Sequence, residues 1–495
     1  MTAWLGIDVG TGGTRAVLIN RDGKLVSAFT APHDDMIMEQ PLWAEQRPEN
    51  WWDAAKAAVR GVLSQAKLSG SAVRGVGLSG QMHGLVLLDA ADRVIRPALI
   101  WCDQRSQKQV DGINHSLGAD RVLAFTANPV LTGFTLPKLL WVRDNEADHF
   151  KRVRKMLLPK DYVRFCLTGE YVTDVSDASG TALFDVVHRR WSDQIVAGVG
   201  LDRNILPLVL ESSTVGGSIS EGAAEATGLA KGTPVVAGGG DQAASAIGNG
   251  IVEPGRISCT LGTSGVVFAY TKSPEYDARG RVHTFCHAIQ DVWHVMGVTQ
   301  GAGLSLQWFR NKLAPGTEYD ALTAEAATAP PGSQGLFWLP YLMGERSPHL
   351  DATARGGWIG MTARHTRADL IRSLLEGVSY SQKDCLDIIE QMGVQADSVR
   401  LSGGGARSPF WQQMFADIFD KPVSILENQE GSAYGAALLA LVGTGEYESV
   451  REVCKSAIRE IRTCEPRAEE RKVYAEGHRT YQRLYPATTA ALRPH

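Results

Sequence analysis

The sequence predicts an α/β protein built from two domains of similar design. The chain has 495 residues, which is too many for a single hydrophobic core. A pattern of strand, glycine–threonine turn and strand occupies residues 4–20 and returns at residues 256–270, about 250 residues further on. Apolar runs of strand length also alternate with segments of helical periodicity. We therefore expect one domain at residues 1–245 and a second at residues 246–495.

The first half begins with three predicted strands that are joined by tight turns. A Gly-Thr turn separates the first two strands, and Asp22-Gly23 is a strong turn signal before the third. Later apolar runs of four to six residues read as buried strands, and longer periodic segments read as helices. The predicted strands are 4–9, 15–20, 25–30, 73–78, 98–101 and 234–237, and the predicted helices are 48–65, 136–145 and 157–169.

The second half repeats this opening and then becomes richer in helices. Its predicted strands are 256–261, 266–270, 292–298, 336–339 and 399–402, and its predicted helices are 304–313, 368–393, 409–419 and 432–442. We expect a mixed five-stranded sheet in each domain. The final helix is predicted at about 472–484, and the sequence leaves open whether it packs on the first domain. A frayed tail is expected after this helix.

Composition excludes several classes of function. The chain is 44% hydrophobic and 21% charged, as in ordinary globular proteins, and its net charge is −4. No long run of lysines and arginines stands out, so nucleic acid and anionic membranes are not expected partners. The start of the chain lacks the pattern of a signal peptide, and no apolar run is long enough to span a bilayer.

The seven cysteines are scattered singly, which suits a reducing cytoplasm better than a disulfide framework. We therefore expect a cytoplasmic protein. His283, Cys286 and His287 form the one cluster that suggests a metal. This cluster has no second ligand pair at zinc spacing, and the residues around it alternate as in a strand, so a structural role is the better interpretation.

Three turns of small residues predict nucleotide binding. Backbone N–H groups in such turns point inward, and no bulky side chain blocks a phosphate. Each turn taken singly is read more simply as a tight hairpin, but two of them occupy matching positions of a duplication. Neither the P-loop motif nor the dinucleotide fingerprint is present. The candidate residues are Thr11, Gly12, Gly13 and Arg15 in the first turn, Gly262 and Thr263 in the second, and Gly404, Gly405 and Ser408 in the third.

Two carboxylates stand at predicted strand ends. Asp8 precedes the first turn, where it either holds Mg²⁺ against nucleotide phosphates or caps the turn structurally. Asp241 follows Gly238, Gly239 and Gly240 near the middle of the chain. Three glycines let a ligand approach closely, so Asp241 is a candidate general base for phosphoryl transfer. The alternative is a glycine-rich hinge between domains with Asp241 as a helix N-cap.

Polar residues at two further strand ends are candidates for sugar binding. Gln81 and His83 supply donors and acceptors for hydroxyl groups, and Met82 between them packs against carbon atoms. Trp101 is either a core residue or a platform for a sugar. Asp103 either binds substrate or forms a surface ion pair with Arg105.

Taken together, these motifs resemble the FGGY carbohydrate kinases over nearly the whole chain. Residues 8–15, 260–264 and 401–408 resemble the two phosphate motifs and the adenosine motif of that family, and residues 133–141 and 356–377 resemble its two signatures. The resemblance implies two actin-like α/β domains, of the ribonuclease H-like and hexokinase/Hsp70 superfamily, that flank a catalytic cleft. Within the family, residues 80–84, 239–241 and 344–349 look like those of bacterial xylulokinases.

The resemblance implies that ATP phosphorylates D-xylulose to D-xylulose 5-phosphate, with Asp241 as the base and Asp8 near Mg²⁺. It also places Met82 and His83 at the sugar and Gly303 along the nucleotide. This chain carries Gln242 where xylulokinases commonly carry asparagine. Alternatives are a family member acting on L-xylulose, ribulose or glycerol, a non-catalytic sugar or nucleotide sensor, and a chaperone-like actin relative. Sugar and ATP are the expected partners, and a homodimer is left open.

Overall fold

The computed structural model describes residues 1–492 and contains two seven-stranded mixed sheets with helices packed on their faces. The strands of the first half are β1 (Ala3–Val9), β2 (Gly13–Ile19), β3 (Leu25–Pro32), β4 (Glu45–Gln46), β5 (Val73–Gly80), β6 (Val86–Leu88), β7 (Ala98–Leu99), β8 (Lys155–Leu157), β9 (Val172–Asp174), β10 (Phe184–Asp185), β11 (Arg190–Trp191), β12 (Leu208–Leu210), β13 (Val215–Ser218), β14 (Pro234–Val236) and β15 (Gly239–Gly240). Its helices are α1 (Pro48–Ala66), α2 (Gln107–Ile113), α3 (Ala119–Thr126), α4 (Thr135–Asn145), α5 (Ala147–Arg152), α6 (Pro159–Thr168), α7 (Val175–Ala178), α8 (Asp193–Gly198), α9 (Glu221–Thr227) and α10 (Asp241–Gly248).

The second half supplies the other sheet. Its strands are β16 (Gly255–Leu261), β17 (Gly265–Thr271), β18 (His283–Cys286), β19 (Trp293–Thr299), β20 (Phe337–Leu339), β21 (Gly357–Ile359), β22 (Ala396–Ser402), β23 (Val423–Leu426) and β24 (Glu460–Cys464). Its helices are α11 (Ala302–Leu313), α12 (Tyr319–Ala326), α13 (Arg367–Gln391), α14 (Pro409–Phe419), α15 (Gly431–Gly443), α16 (Val450–Ala457) and α17 (Ala468–Leu492). Within the described residues, no helix combines the length and the apolar character needed to cross a membrane.

The two large sheets share one design, as the repeated motif predicts. In the first, β3, β2 and β1 are antiparallel neighbours, β5 and β14 continue parallel to β1, and β13 closes the edge antiparallel. In the second, β19, β17 and β16 are antiparallel, β22 and β23 follow in parallel, and β24 closes the edge antiparallel. Equivalent turns therefore lie at equivalent edges of both sheets.

The predicted count of five strands in each sheet is wrong, because each sheet has seven. The additional strands are short or lie at edges, where an apolar run is not required. Four of the five residues of β24 are exposed, so its sequence carries no signal of a buried strand. In the first sheet, β14 and β15 both pair with β5 and are separated at Gly238, whose φ of +83° is one that glycine adopts without strain.

Helices α10 and α15 cross closely and tie the two halves together. A Cβ atom added to Gly435 of α15 would lie 1.8 Å from the carbonyl oxygen of Ala244 in α10. Helix α15 also lies on β1 and β5 of the first sheet, although it belongs to the second half of the chain. Added Cβ atoms at Gly6 and Gly77 would lie 1.8 and 1.9 Å from carbonyl oxygens of this helix. Helix α10 itself spans the domain boundary predicted at residues 245 and 246.

The final helix packs on the second half, and not on the first domain as was left open. Tyr474 and Tyr481 of α17 are buried in the core of the second sheet, and the Tyr474 hydroxyl accepts a hydrogen bond from Arg372 of α13 at 2.6 Å. The helix is also longer than predicted. The tail expected after residue 484 is helical as far as Leu492, and residues 493–495 lie outside the described part of the chain.

Candidate active site

Parallel pairing of three strands brings the two predicted catalytic acids to one sheet edge. Ser79 of β5 is in register with Asp8 of β1 on one side and with Gly239 of β15 on the other. Asp241 follows β15 directly as the first residue of α10. Because the carboxyl ends of neighbouring parallel strands meet at the same edge, residues 8 and 241 face one crevice although 233 positions separate them.

Both carboxylates are buried, and Asp8 acts electrostatically on Asp241. Burial raises the pKa of Asp241 to about 7, and the charge of Asp8 contributes to the same shift. Burial also raises the pKa of Asp8 to about 6, with the Ser79 side chain and the Arg15 charge acting in the opposite direction. The Oδ1 atom of Asp8 is buried and has no hydrogen-bond partner among the described residues. An unpaired, buried carboxylate oxygen beside a second acid is suited to a cation or a transferred proton.

The interpretation of Asp241 as a helix cap is wrong. Gly240 is the N-cap residue of α10, and Asp241 is the first residue of the helix. The Oδ1 atom of Asp241 accepts a hydrogen bond from the backbone N–H of the next residue, Gln242, at 2.7 Å. The carboxylate is therefore oriented by the backbone and the side chain of Gln242 in the first turn of α10.

A buried ionic cluster supports this loop from behind. The Gly240 N–H donates to Ser176 Oγ at 3.0 Å, and Ser176 Oγ donates to Asp174 at 2.5 Å. The Nζ atom of Lys160 lies 2.9 Å from Asp174 and 3.4 Å from Asp177, and all three side chains are fully buried. The sequence did not reveal this support, because these residues are far from residue 240 in the chain.

His83 is held in a defined orientation next to the acids. Its backbone has a φ of +69°, and its carbonyl oxygen accepts hydrogen bonds from Lys138 Nζ and Thr135 Oγ1, both at 3.1 Å. The imidazole stacks on Phe134, with 4.7 Å between ring centroids, and its Nδ1 lies 2.7 Å from the Gly180 carbonyl oxygen. Burial lowers the pKa of His83 to about 3, so the ring is neutral.

The hydrogen bond to Gly180 fixes the tautomer of His83. A carbonyl oxygen only accepts hydrogen bonds, so Nδ1 must carry the proton. The other ring nitrogen, Nε2, is then an acceptor, and no described residue hydrogen-bonds it. An unprotonated Nε2 can accept a hydrogen bond from a hydroxyl group, as a sugar would supply.

Met82 connects the acids with His83. A Cβ atom added to Gly240 would lie 3.0 Å from the sulfur of Met82, and one added to Gly180 would lie 3.1 Å from its terminal carbon. Asp241, Met82 and His83 therefore follow one another along one wall of the crevice. The structure brings these three predicted residues together.

The other residues predicted to bind sugar, Gln81, Asp103 and Trp101, have different surroundings. Gln81 is buried, and its amide donates to Gln46 Oε1 at 3.0 Å and lies close to the first turn. Asp103 is fully buried and pairs with Arg105 at 2.7 Å, so the predicted ion pair exists but does not lie at the surface, and the substrate role of Asp103 stays a prediction. Trp101 is 37% exposed, and its indole N–H donates to Thr11 Oγ1 at 2.9 Å, so it is not a core residue.

A pocket of about 670 Å³ lies at the edge of the second sheet. There β16 and β22 run parallel, with the hydroxyls of Thr260 and Ser402 2.9 Å apart, so the turns that follow them are adjacent. Helix α11 packs directly on the second turn at Gly303, because a Cβ atom added to Gly303 would lie 2.4 Å from the Gly262 carbonyl oxygen. The predicted residues that line this pocket are Gly262, Thr263, Gly303, Gly404, Gly405 and Ser408.

The same pocket contains residues that the sequence did not suggest. Its far wall includes Tyr319 and Asp320 at the start of α12, and Arg407 and Trp411 flank the third turn. An exposed tyrosine beside an open glycine turn, where an added Cβ at Gly404 would meet nothing within 4 Å, leaves room for a flat ring system. No feature of chain order connects Tyr319 with Gly404, which is why the sequence could not identify this wall.

The first turn continues from β1, the strand of Asp8, at the same edge of the first sheet. Thr11 and Gly12 cross from β1 to β2, and an added Cβ at Gly12 would meet nothing within 4 Å, so the turn is open above. Gly13, by contrast, packs closely on β3. Arg15 forms an ion pair with Glu430, at the start of α15, and donates to Thr30 Oγ1 at 2.6 Å. Its Nε and Nη1 groups are therefore engaged at the junction of the two halves, and the predicted contact of Arg15 with a phosphate stays a prediction.

Comparison with known proteins agrees with this geometry. The model of the FGGY family of carbohydrate kinases matches residues 3–248 with its N-terminal domain and residues 257–444 with its C-terminal domain. The chain is 40% identical to the xylulose kinase of Bacillus subtilis (strain 168), over 98% of this chain and 97% of the relative. It is 39% identical to the xylulose kinase of Escherichia coli (strain K12), over 97% of this chain and 98% of the relative.

Solved structures give the same result. The crystal structure of a xyloylose kinase from Brucella ovis has a TM-score of 0.91 and 38% identity, and covers 99% of this chain and 100% of its own. The predicted fold of two α/β domains of the actin-like sugar kinase type is thereby confirmed. The chain therefore belongs to the FGGY family of carbohydrate kinases, enzymes that transfer a phosphoryl group to an alcohol group of a sugar.

Proposed function

We propose that this enzyme phosphorylates D-xylulose at its terminal hydroxyl and releases ADP and D-xylulose 5-phosphate. One observation carries the proposal: Asp8, Asp241, Met82 and His83 line one crevice, and the glycine turns of the second sheet line a pocket of nucleotide size. The substrate is assigned from the relatives, since the chain spans nearly the full length of two xylulose kinases at 39–40% identity.

Asp241 acts as the general base in this proposal. Its pKa of about 7 leaves a large share of the carboxylate ionised at neutral pH, and the ionised form is still basic enough to accept a hydroxyl proton. The hydrogen bond from Gln242 N–H orients the carboxylate. As the sugar oxygen attacks the γ-phosphorus of ATP, its proton passes to Asp241, and the bond between the γ-phosphorus and the β–γ bridging oxygen breaks.

The sugar is held along the wall formed by Met82 and His83. The unpaired Nε2 of His83 accepts a hydrogen bond from a sugar hydroxyl, and the Met82 side chain packs against carbon atoms. Trp101 stands exposed beside the first turn and covers the crevice from the other side. Gln242 extends one methylene further than asparagine at the position after the base, so we assign it a longer reach toward a sugar hydroxyl.

ATP occupies the pocket of the second sheet. The turns at Gly262–Thr263 and Gly404–Gly405 offer backbone N–H groups without obstructing side chains, which suits phosphates and a flat adenosine. The open turn at Thr11 and Gly12 follows the strand of Asp8 and receives the terminal phosphate in this arrangement. Arg15 stabilises the junction of the two halves through Glu430, and its predicted contact with a phosphate remains part of the proposal.

The described residues also fit Mg²⁺. A hard divalent cation in a kinase is held by one or two carboxylates together with phosphate oxygens and water. Asp8 supplies a buried carboxylate oxygen without a hydrogen-bond partner, and Asp241 lies close enough for its pKa to respond to Asp8. Asp8 would therefore hold the ion, with Asp241 nearby. When bound, Mg²⁺ neutralises charge on the phosphates, which favours their transfer.

A screen of ADP release tests the proposal. The purified enzyme is offered Mg-ATP with D-xylulose, L-xylulose, D-ribulose, L-ribulose, glycerol, xylitol, D-arabinitol and gluconate. We expect D-xylulose to have the highest kcat/KM. A preference for any other acceptor would overturn the assignment of the substrate while leaving the family intact.

The variant Asp241→Asn separates a kinase from a sugar or nucleotide sensor. We expect kcat to fall by about 10²–10⁴-fold, because the base is lost, while binding of a fluorescent ATP analogue is retained. The exposed control Asp22→Asn should have wild-type kcat. Wild-type turnover by Asp241→Asn would show that Asp241 is not the base, and a wild-type protein that binds ligands without turnover would favour a sensor.

A further inference from the structure

The second half of the chain places a cation without a protein partner against the sugar site. Arg346 lies in the loop between β20 and β21, and its side chain is half-buried. Its guanidinium forms no hydrogen bond and no ion pair with any described residue, and the carboxylate that acts on its charge is that of the neighbouring Glu345. Partly buried arginines normally have carboxylate or carbonyl partners, as Arg96, Arg105 and Arg372 do in this protein.

The guanidinium points toward the first half of the chain, at the loop that precedes α4. A Cβ atom added to Gly133 would lie 3.7 Å from Nη2 of Arg346. Gly133 directly precedes Phe134, on which His83 stacks, and its carbonyl oxygen accepts the hydrogen bond of Lys138 at 2.7 Å. The positive charge of Arg346 also helps to lower the pKa values of His83, Lys138 and His283, which indicates that all three lie within its electrostatic range.

The surrounding loop holds Arg346 in this position. Glu345 is 3% exposed, and its Oε1 atom accepts hydrogen bonds from the backbone N–H groups of Gln300 and Arg346, both at 2.8 Å. Gln300 lies just before α11, the helix whose residue Gly303 lines the nucleotide pocket. The side chain of Arg346 therefore projects from a backbone that is fixed to the second sheet.

The order of groups along the wall defines what Arg346 can reach. Asp241 stands at one end, Met82 and His83 follow, and Arg346 lies at the other end beside Gly133. A linear pentulose whose terminal hydroxyl meets Asp241 directs its other end, a carbonyl and a second terminal hydroxyl, toward Arg346. A planar guanidinium can donate two parallel N–H bonds to such a pair of oxygens.

We infer that Arg346 is a substrate-binding residue that recognises the keto end of the sugar and thereby selects ketoses over polyols. This inference rests on the proposed phosphorylation of D-xylulose. Lys138 does not compete for this role, because its Nζ already donates to the carbonyl oxygens of His83 and Gly133.

The test compares Arg346→Met with wild type for a ketose and for the polyols obtained by reducing it. The KM for D-xylulose and the inhibition constants of xylitol and D-arabinitol are measured in the ADP-release assay, which does not require that the polyols react. We expect the KM for D-xylulose to rise about 10–100-fold, as for the loss of a hydrogen bond from a charged group. The inhibition constants of the polyols and the KM for ATP should change by less than about threefold.

Two further variants provide controls. Arg346→Lys keeps the charge but lacks the planar pair of donors, so its KM for D-xylulose should lie between those of wild type and Arg346→Met. Arg364→Met, in the same half of the chain and on its surface, should retain wild-type constants. Circular dichroism and an unchanged KM for ATP establish that Arg346→Met is folded.

Each contrary result has a distinct meaning. Equal losses for D-xylulose and for the polyols would refute recognition of the keto end, and a raised KM for ATP alone would place Arg346 at the nucleotide. An unchanged KM for D-xylulose would refute the inference entirely. If the wild-type enzyme prefers another acceptor, the proposed substrate is wrong, whatever the role of Arg346. The effect of Arg346→Met on the KM for that acceptor then decides whether Arg346 binds the substrate.

Discussion

At the scale of single residues, the proposed chemistry depends on two buried acids, and burial together with the charge of Asp8 raises the pKa of Asp241. The sequence identified Asp8 and Asp241 because each follows an apolar run and precedes a glycine turn. Their proximity could not be read from the sequence, since it depends on β5 lying between β1 and β15. The same limit applies to Asp103, which follows a strand in the same manner but is buried in an ion pair.

The pH dependence of activity tests this coupling. Asp241 must be ionised to act as a base, so kcat/KM for the sugar should rise with pH through an apparent pKa near the value of about 7 given by the structure. In Asp8→Asn the neighbouring negative charge is absent, so the pKa of Asp241 falls and the acid limb of the profile moves to lower pH. Full pH–rate profiles for wild type and Asp8→Asn measure this shift.

The position of the limb, and not the absolute rate, is the relevant quantity, because Asp8→Asn also weakens the proposed Mg²⁺ site. Asp22→Asn, in the exposed turn after β2, is the matched control and should leave the limb in place. A limb that moves to higher pH in Asp8→Asn, or that does not move, would contradict the coupling.

At the scale of elements, the sequence was most successful where apolar periodicity is strong. Predicted helices 48–65 and 409–419 correspond to Pro48–Ala66 and Pro409–Phe419 in the structure. It failed at β15, β13 and β24, which are short or lie at an edge, and it could not show that α15 returns to the first sheet. The small residues of α15 were visible, but the partner that requires them was not.

The crossing of α10 and α15 leads to a stability prediction. Gly435→Ala would place a methyl group 1.8 Å from the carbonyl oxygen of Ala244, and backbone atoms on both sides prevent easy relaxation. We expect the free energy of unfolding to fall by about 1–3 kcal/mol or more, as for other overpacked sites. Urea denaturation followed by circular dichroism measures the change.

A second glycine provides the matched control for this experiment. Gly112 lies in α2, and an added Cβ atom there would meet nothing within 4 Å. Gly112→Ala should be neutral or stabilising by up to about 1 kcal/mol, because alanine favours a helix more than glycine does. Equal stability of the two variants would show that α10 and α15 are not in close contact.

At the scale of the whole molecule, the duplicated design separates the two substrates. The walls of the proposed nucleotide pocket come from residues 261–411, whereas Met82 and His83 follow β5 of the first sheet. Arg346 is the exception, since its guanidinium reaches Gly133 of the first half from the second half. The sequence predicted the duplication from its two Gly-Thr turns but not this exchange of a side chain between halves.

We expect the two halves to approach each other when both substrates are present. Closure excludes water from the γ-phosphate, and a bound sugar connects the first sheet with Arg346. Small-angle X-ray scattering should show a smaller radius of gyration with D-xylulose and a non-hydrolysable ATP analogue together than with the analogue alone. The same radius in both samples would contradict closure, and Arg346→Met should reduce the contraction caused by the sugar.

The position of Asp241 at the first turn of α10 has a geometric consequence for such a motion. Helix α10 crosses α15 only a few residues further on, through backbone contacts that leave no room for sliding. When one body rotates on another about such a crossing, points near the axis travel little and distant points travel far. In such a rotation we expect Asp241 to stay nearly in place and the pocket of the second sheet to travel further, so that the phosphate is brought to a stationary sugar hydroxyl.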